Sequence, residues 1–435
     1  MAYLYFLVSP LIHTAPSEAM QAFFSIVIPA FVTVLLALLF LADELRRRRG
    51  VLWLETSELW FLLFFGYMLV AGIFLSIPLM ERVVQDEHGM IKSLKQSTMI
   101  GLALAFYFTT RRLVFRVSHP TLRRALGYTL LFLGIYGLLE YVKYVVGISG
   151  VLPIEPLLHP LEPESLYGTF SQRLRLTTPE PSMGAPYLVI YGALYLYLVL
   201  AERRKGWGPF LLLAGVFLLL LVMGSKGALL GFILAFFLSL WTLSFVAPQR
   251  SRRGHILLLG LLAFAVLVPL SLLSRTGQFL LQTGIYENTV LTRAVEMAVG
   301  IQLFLNHPLW GIGSGNLVFY FHEYLNRVGI VSQEIFWMLK GEATDVSIGY
   351  KNLFIAVLAE GGLIGVTLFL GFLFFVFRWL LRALKIRPRE GILLFVFFFI
   401  LITMQYTDGY NRVYWWVGLG LVQALAQQAV QEAAE

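Results

Sequence analysis

The chain has 435 residues, 58% of them apolar and only 13% charged, with no cysteine and a formal net charge of +8. A soluble domain carries about 25% charged residues, so a soluble enzyme and a disordered scaffold are both excluded. Apolar runs on every face point to helices that satisfy their own backbone, rather than to the alternating strands of an outer-membrane barrel.

Twenty of the 33 Lys and Arg residues fall in five short segments: 46–49, 111–124, 203–205, 250–253 and 378–389. Every second loop is thereby basic, as the positive-inside rule requires. Topology accounts for the charge, and no nucleic-acid partner is expected. Without cysteine there is no disulfide or thiolate chemistry. Residues 1–12 are apolar but lack a basic leader, so no cleavable signal peptide is expected.

In chain order, the hydropathy predicts spans near 21–42, 59–80, 96–110, 125–147, 183–201, 209–223, 228–247, 256–273, 353–377, 391–405 and 413–426. The fold class expected is an all-α polytopic membrane protein of about eleven (10–12) transmembrane helices, at roughly 20 residues per span. It divides into a first bundle over 1–273 with about eight spans and a loop at 148–182, a large loop at 274–352, and C-terminal spans over 353–435. Residues 1–12 are too short to cross comfortably. Loops longer than about 15 residues are usually functional, and 274–352 is rich in Trp, Phe, Tyr and Leu. Within it, 291–305 and 317–328 show helical periodicity, which predicts a small helical lid.

Chemistry-bearing residues cluster around the long loops. Lys226 lies in Met223-Gly-Ser-Lys-Gly-Ala, between two apolar runs. A cation there needs water or an anion, and the flanking glycines would let backbone N–H groups approach one. Arg293 opens the first lid helix, where a pair with Glu296 at i+3 is the plain alternative. Asn306-His-Pro-Leu-Trp-Gly-Ile-Gly-Ser-Gly-Asn316 stops that helix and then places Gly311, Gly313 and Gly315 at alternate positions. It lacks the Gly-Lys-Ser/Thr ending of a P-loop, so a turn that tucks the lid against the membrane is expected, with His307 in a capping or core role.

Lys351-Asn352 opens the span that contains Ala-Glu360-Gly-Gly, and a cation at a helix N-terminus suits an anionic ligand. Glu360 inside a span needs a partner or a proton. Glu140 and Lys143 can pair with each other at i+3. Arg173-Leu-Arg175 leads to Thr-Pro-Glu180-Pro, where two prolines restrict the carboxylate and fit it for a general base. No His, Asp or Glu set has metal spacing. Catalysis would rest on cations that neutralise an anionic leaving group.

Taken together, the Ser-Lys-Gly-Ala turn, the arginine opening a lid helix, the Asn306–Asn316 string and Lys-Asn…Ala-Glu-Gly-Gly-Leu-Ile-Gly resemble the O-antigen ligase/polymerase superfamily, mainly over 176–366. The resemblance implies a GT-C-type glycosyltransferase of the bacterial inner membrane, with its site facing the periplasm. Its donor and acceptor would be polyprenyl-diphosphate-linked oligosaccharides among membrane lipids, with a chain-length regulator and a flippase as candidate partners and no cofactor or metal. Lys226, Arg293, Lys351 and Glu180 would be catalytic. Arg173, Arg175, His322, Asn352, Gly311, Gly313 and Asn316 would bind substrate, with His322 a second candidate base and Trp310, Tyr320 and Tyr324 stacking on sugars. Ligases of the family carry His where Lys351 stands, which favours a polymerase over the ligase alternative. A lipid-linked sugar transporter is the reading from another class; neither internal repeats nor charged pairs across spans are expected here.

Overall fold

A computed structural model describes residues 33–43, 54–84, 87–144, 181–202, 207–223, 225–246, 288–329, 349–406, 409–410 and 412–435, with a few single positions besides. The described residues form helices α1 (Thr56–Ser76), α2 (Gly89–Arg116), α3 (His119–Tyr144), α4 (Pro181–Ala201), α5 (Gly208–Met223), α6 (Lys226–Val246), α7 (Asn288–Asn306), α8 (Leu317–Val328), α9 (Leu353–Ile386), α10 (Gly391–Thr403) and α11 (Val413–Gln431). A helical stretch, Thr33–Asp43, precedes α1. The strand pairing among the described residues is a two-residue antiparallel ladder, Val83–Val84 on Glu87–His88, at the turn between α1 and α2.

Five segments are long and apolar enough to cross a membrane: Thr56–Leu79, His119–Lys143, Gly184–Ala201, Gly227–Val246 and Leu353–Ile386. The expected eleven is not reached among the described residues. α5 and α10 are apolar but 16 and 13 residues long, about 24 and 20 Å at 1.5 Å per residue. α2 and α11 carry too many polar side chains for a lipid-facing span. Span 256–273 and most of 21–42 lie outside the described residues, as does the loop 148–180.

α11 lies at the centre, flanked by α2, α4, α9 and α10. Its residues from Val413 to Gln427 are all buried, including Trp415 and Trp416, whose indole N–H groups donate to Thr403 Oγ1 at 2.8 Å and to the Tyr410 carbonyl at 2.7 Å. Around it, the outer helices turn large apolar side chains outward, such as Val70 and Phe74 on α1, Leu211 and Leu218 on α5, Trp241 and Phe245 on α6, and Leu370 and Phe374 on α9. Exposed apolar surface on this scale marks a partner or a lipid face.

One end of the bundle is held by charge. Glu58, buried in α1, accepts hydrogen bonds from Arg111 and Arg112, the latter at 3.0 Å. Arg111 also donates to Gln427 of α11 at 3.1 Å, and Tyr107 to Gln423. Arg123 and Glu202 join α3 to the end of α4 at 2.9 Å. One sequence expectation is corrected here: Arg111 and Arg112 belong to the last turns of α2 rather than to a loop. A buried pair of this kind is costly to break, because the survivor is left as an uncompensated charge.

The lid helices fall where periodicity placed them. α8 has the boundaries read from sequence, and α7 extends the expected 291–305 by one turn at its start. Val295, Val299 and Leu303 of α7 pack with Leu317, Phe321, Tyr324 and Leu325 of α8 and with Ala356 and Ala359 of α9 in a second apolar core. Tyr350 joins the same core beside Gly300, where an added Cβ would lie 2.8 Å from the ring.

Candidate functional site at the start of three helices

α9 is not one straight rod. Gly362 has φ 59° and ψ −159°, a conformation open essentially to glycine alone. The break divides the helix into residues 353–361, whose Ala356 and Ala359 join the lid core while Leu353 and Val357 join the main core, and residues 363–386, about 36 Å long and enough to span a bilayer. Breaking a helix at membrane depth frees carbonyl and N–H groups that must find partners. The Asn306–Asn316 string supplies them. Ile312 N–H donates to the Ala359 carbonyl at 2.9 Å and Gly313 N–H to that of Glu360 at 3.0 Å, while Leu363 and Ile364 N–H groups donate to Pro308 and Leu309 carbonyls at 2.8 and 3.4 Å.

The three glycines of that string all have positive φ, 69° at Gly311, 86° at Gly313 and 78° at Gly315. Gly311 leaves no room besides, since a Cβ would lie 2.4 Å from the Glu360 carbonyl. Gly315 N–H donates to Glu360 Oε1 at 3.1 Å. Asn316 accepts from Ser76 of α1 at 3.0 Å and donates to the Ile312 carbonyl at 2.8 Å. Gly311, Gly313 and Asn316 are therefore engaged in joining lid, α1 and α9, as expected of a turn that tucks the lid against the bundle. Glu360 lies within the candidate span Leu353–Ile386, as expected, at the joint.

Residues 404–406, which follow α10, are met by segments from distant parts of the sequence. Met404 accepts a hydrogen bond from Leu353 N–H at 2.8 Å, and Gln405 accepts one from Asn352 Nδ2 at 3.1 Å. Asn352 is the N-cap of α9, its Oδ1 accepting from Phe354 and Ile355 N–H at 2.9 and 3.1 Å. Beside it Lys351 has φ 48° and is the single non-glycine residue of positive φ among the described residues. Such strain persists only where the surroundings enforce it, and it concentrates at functional positions.

The Tyr406 ring lies against Gly227, where a Cβ would be 2.7 Å from it. That contact docks the Lys226 turn, which opens α6, onto the segment. Arg293 of α7 is near enough for its charge to act on the same phenol; burial nevertheless holds Tyr406 well above the usual tyrosine pKa, with Tyr414 adding to the rise and Arg293 opposing it. The Arg293–Glu296 alternative is not what the described residues show. Glu296 is buried and accepts from Gly349 N–H at 3.4 Å, and Arg293 is half-buried.

Arg412, which sequence reading passed over, is a further cation at a helix start. It is the N-cap of α11, and its charge reaches Tyr187 of α4, whose ring stands 5.1 Å from that of Tyr414. A signal for it existed: it is an arginine in a short loop on the face opposite the basic loops. α6, α9 and α11 thus each begin with a cation, at the end of a helix where the dipole favours an anion.

Of the remaining predicted residues, Arg173, Arg175 and Glu180 lie outside the described residues. His322 is exposed on α8, on the face away from the packed residues Phe321, Tyr324 and Leu325. Tyr324 is buried, so its expected stacking on a sugar is not available in this arrangement, whereas Trp310 is exposed and lies 6.4 Å from Tyr67 ring to ring. Among the described residues no three His, Asp or Glu side chains come together in a way that could hold a metal. No protein-family model matches the chain, and no curated protein is significantly similar to it.

Proposed function

We propose that the protein is a metal-independent glycosyltransferase of the bacterial inner membrane, acting at its periplasmic face on polyprenyl-diphosphate-linked glycans. Within that class the reading is a polysaccharide polymerase, which moves a growing glycan from its carrier to the non-reducing end of the next carrier-linked repeat unit. The observation that carries it is the meeting of Arg293 and the Lys226 turn on Tyr406, residues that the family resemblance names together and that lie far apart in sequence.

In the reaction, an acceptor hydroxyl oxygen bonds to the anomeric carbon as the bond from that carbon to the diphosphate oxygen breaks. The bonding pair leaves with the polyprenyl diphosphate, and the hydroxyl proton passes to a base, for which Glu180 is the candidate. Cations fixed in advance at the leaving group stabilise the charge that develops there. Arg293, Lys226 and Lys351 take that role, and the lid keeps the acceptor sugar over them. Eleven spans would place this end of the bundle opposite the basic loops, on the outer side.

Deletion of the gene in its own host, with surface and carrier-linked glycans resolved on a gel, tests the reading. A polymerase leaves a single repeat unit where a ladder stood. Long chains held on the carrier would identify a ligase instead, and unchanged glycans would refute the class. Arg293→Ala and Lys226→Ala should reproduce the deletion phenotype while leaving protein abundance and thermal midpoint near wild type.

A further inference from the structure

Arg412 holds two guanidinium nitrogens, Nε and Nη1, that are fully buried and have no hydrogen-bond partner among the described residues. A buried guanidinium donates strongly, and leaving its donors unmet is costly. Its charge acts on the phenol of Tyr187. It also caps the N-terminus of α11, where a cation is unfavourable by itself and an anion is favoured twice, by the charge and by the helix dipole. The Val413–Gln427 stretch behind it is wholly buried, so the helix that carries it is fixed by packing.

We propose that Arg412 is part of an oxyanion-binding site at the start of α11, and that this site takes the diphosphate of the lipid-linked donor. Oxyanion binding follows from the unmet donors; the assignment to a diphosphate donor rests on the glycosyltransferase reading. The geometry of guanidinium suits it to two phosphate oxygens at once, which a lysine ammonium does not match. Arg412 is then a substrate-binding residue that anchors the leaving group, acting with Arg293 and Lys226.

The test is titration of the purified full-length protein in nanodiscs with inorganic pyrophosphate at constant ionic strength, read by calorimetry and by thermal midpoint. Wild type is expected to bind saturably, Arg412→Gln to weaken the pyrophosphate Kd tenfold or more, and Arg412→Lys to fall between. Wild type that shows no saturable response overturns the proposal without any variant. Equal binding by wild type and Arg412→Gln, an adventitious ion only, overturns it as well. The glycosyltransferase reading is judged separately: if Arg412→Gln loses pyrophosphate but gene deletion leaves glycans unchanged, the oxyanion site stands and its diphosphate-donor assignment falls. In an active preparation, Arg412→Lys should raise KM for the donor more than it lowers kcat.

Discussion

Gly362→Ala is the sharpest test of the joint between lid and bundle. At φ 59° and ψ −159° an alanine costs about 1–3 kcal/mol in backbone strain alone. Its Cβ would also lie 2.4 Å from the Leu309 carbonyl oxygen and 2.7 Å from Gly311 N, distances no relaxation of a side chain can relieve, since both are backbone atoms. The string must withdraw, and the bonds from Leu363 N–H to Pro308 and from Ile364 N–H to Leu309 go with it, each contributing about 1 kcal/mol net. Together the loss is about 3–5 kcal/mol. Gly361→Ala is the control, one residue away and helical, where the nearest atom is the flexible Met68 Sδ at 2.9 Å. The assay is thermal unfolding of the full-length protein in one detergent, with accessibility of the lid to protease as a second readout. Gly362→Ala should melt well below both wild type and Gly361→Ala, and its lid should be cut faster. Equal midpoints for the two variants would refute the account of the broken helix.

Three further outcomes follow from buried polar groups. Removing the buried carboxylate in Glu58→Ala should cost about 3–5 kcal/mol, because Arg111 and Arg112 lose their shared partner; denaturation of the variant checks it. Tyr406→Phe should leave the midpoint unchanged or raise it, since the Tyr406 hydroxyl is buried without a hydrogen-bond partner among the described residues, whereas Tyr406→Ala should cost about 3–5 kcal/mol by opening a cavity against Gly227. Burial raises the Glu390 pKa, opposed by the Tyr197 hydrogen bond and by Arg389. A carboxyl raised in the folded state is stabilising while protonated, so this contribution is present at acid pH and is lost as pH rises through the folded value. Glu390→Gln should therefore be more stable than wild type at neutral pH and lose that advantage towards acid, read as midpoint against pH; a constant difference across pH would refute it.

The parts of the fold that sequence predicts are those set by local periodicity. α8 has an apolar row at helical spacing and a glycine after it, and Gly329 indeed closes the helix with φ 70°. The apolar runs of α1, α4, α5 and α6 are equally local signals. The joint between Gly311-Ile-Gly and Ala359-Glu-Gly-Gly is not, although both strings stand out by themselves. Each has backbone groups that local structure cannot satisfy, and only the tertiary fold reveals that each is the other's partner. The Glu-Gly-Gly interruption of an apolar span was the available hint, since a break at membrane depth has to be filled. Charge misled in the opposite way: Arg111 and Arg112 read as loop residues because lone arginines do not belong in a span, and the buried Glu58 that makes them tolerable is 53 and 54 positions away.

The candidate site follows the same logic. Lys226 and Lys351 drew notice as cations at helix starts, where each is locally unfavourable, and Arg412 has the same character at the start of α11 but lies in a loop too short to attract attention. One such residue is readily explained by exposure to water. Three, at the starts of α6, α9 and α11, are harder to explain without an anion. The three helix dipoles act against the arrangement in the unliganded protein, and the strained backbone of Lys351 adds to it. A bound oxyanion makes each helix start favourable for its cation, so its affinity should depend on the cations together rather than on any one, and the double variant Lys226→Ala with Arg412→Gln should lose less than the two single losses added.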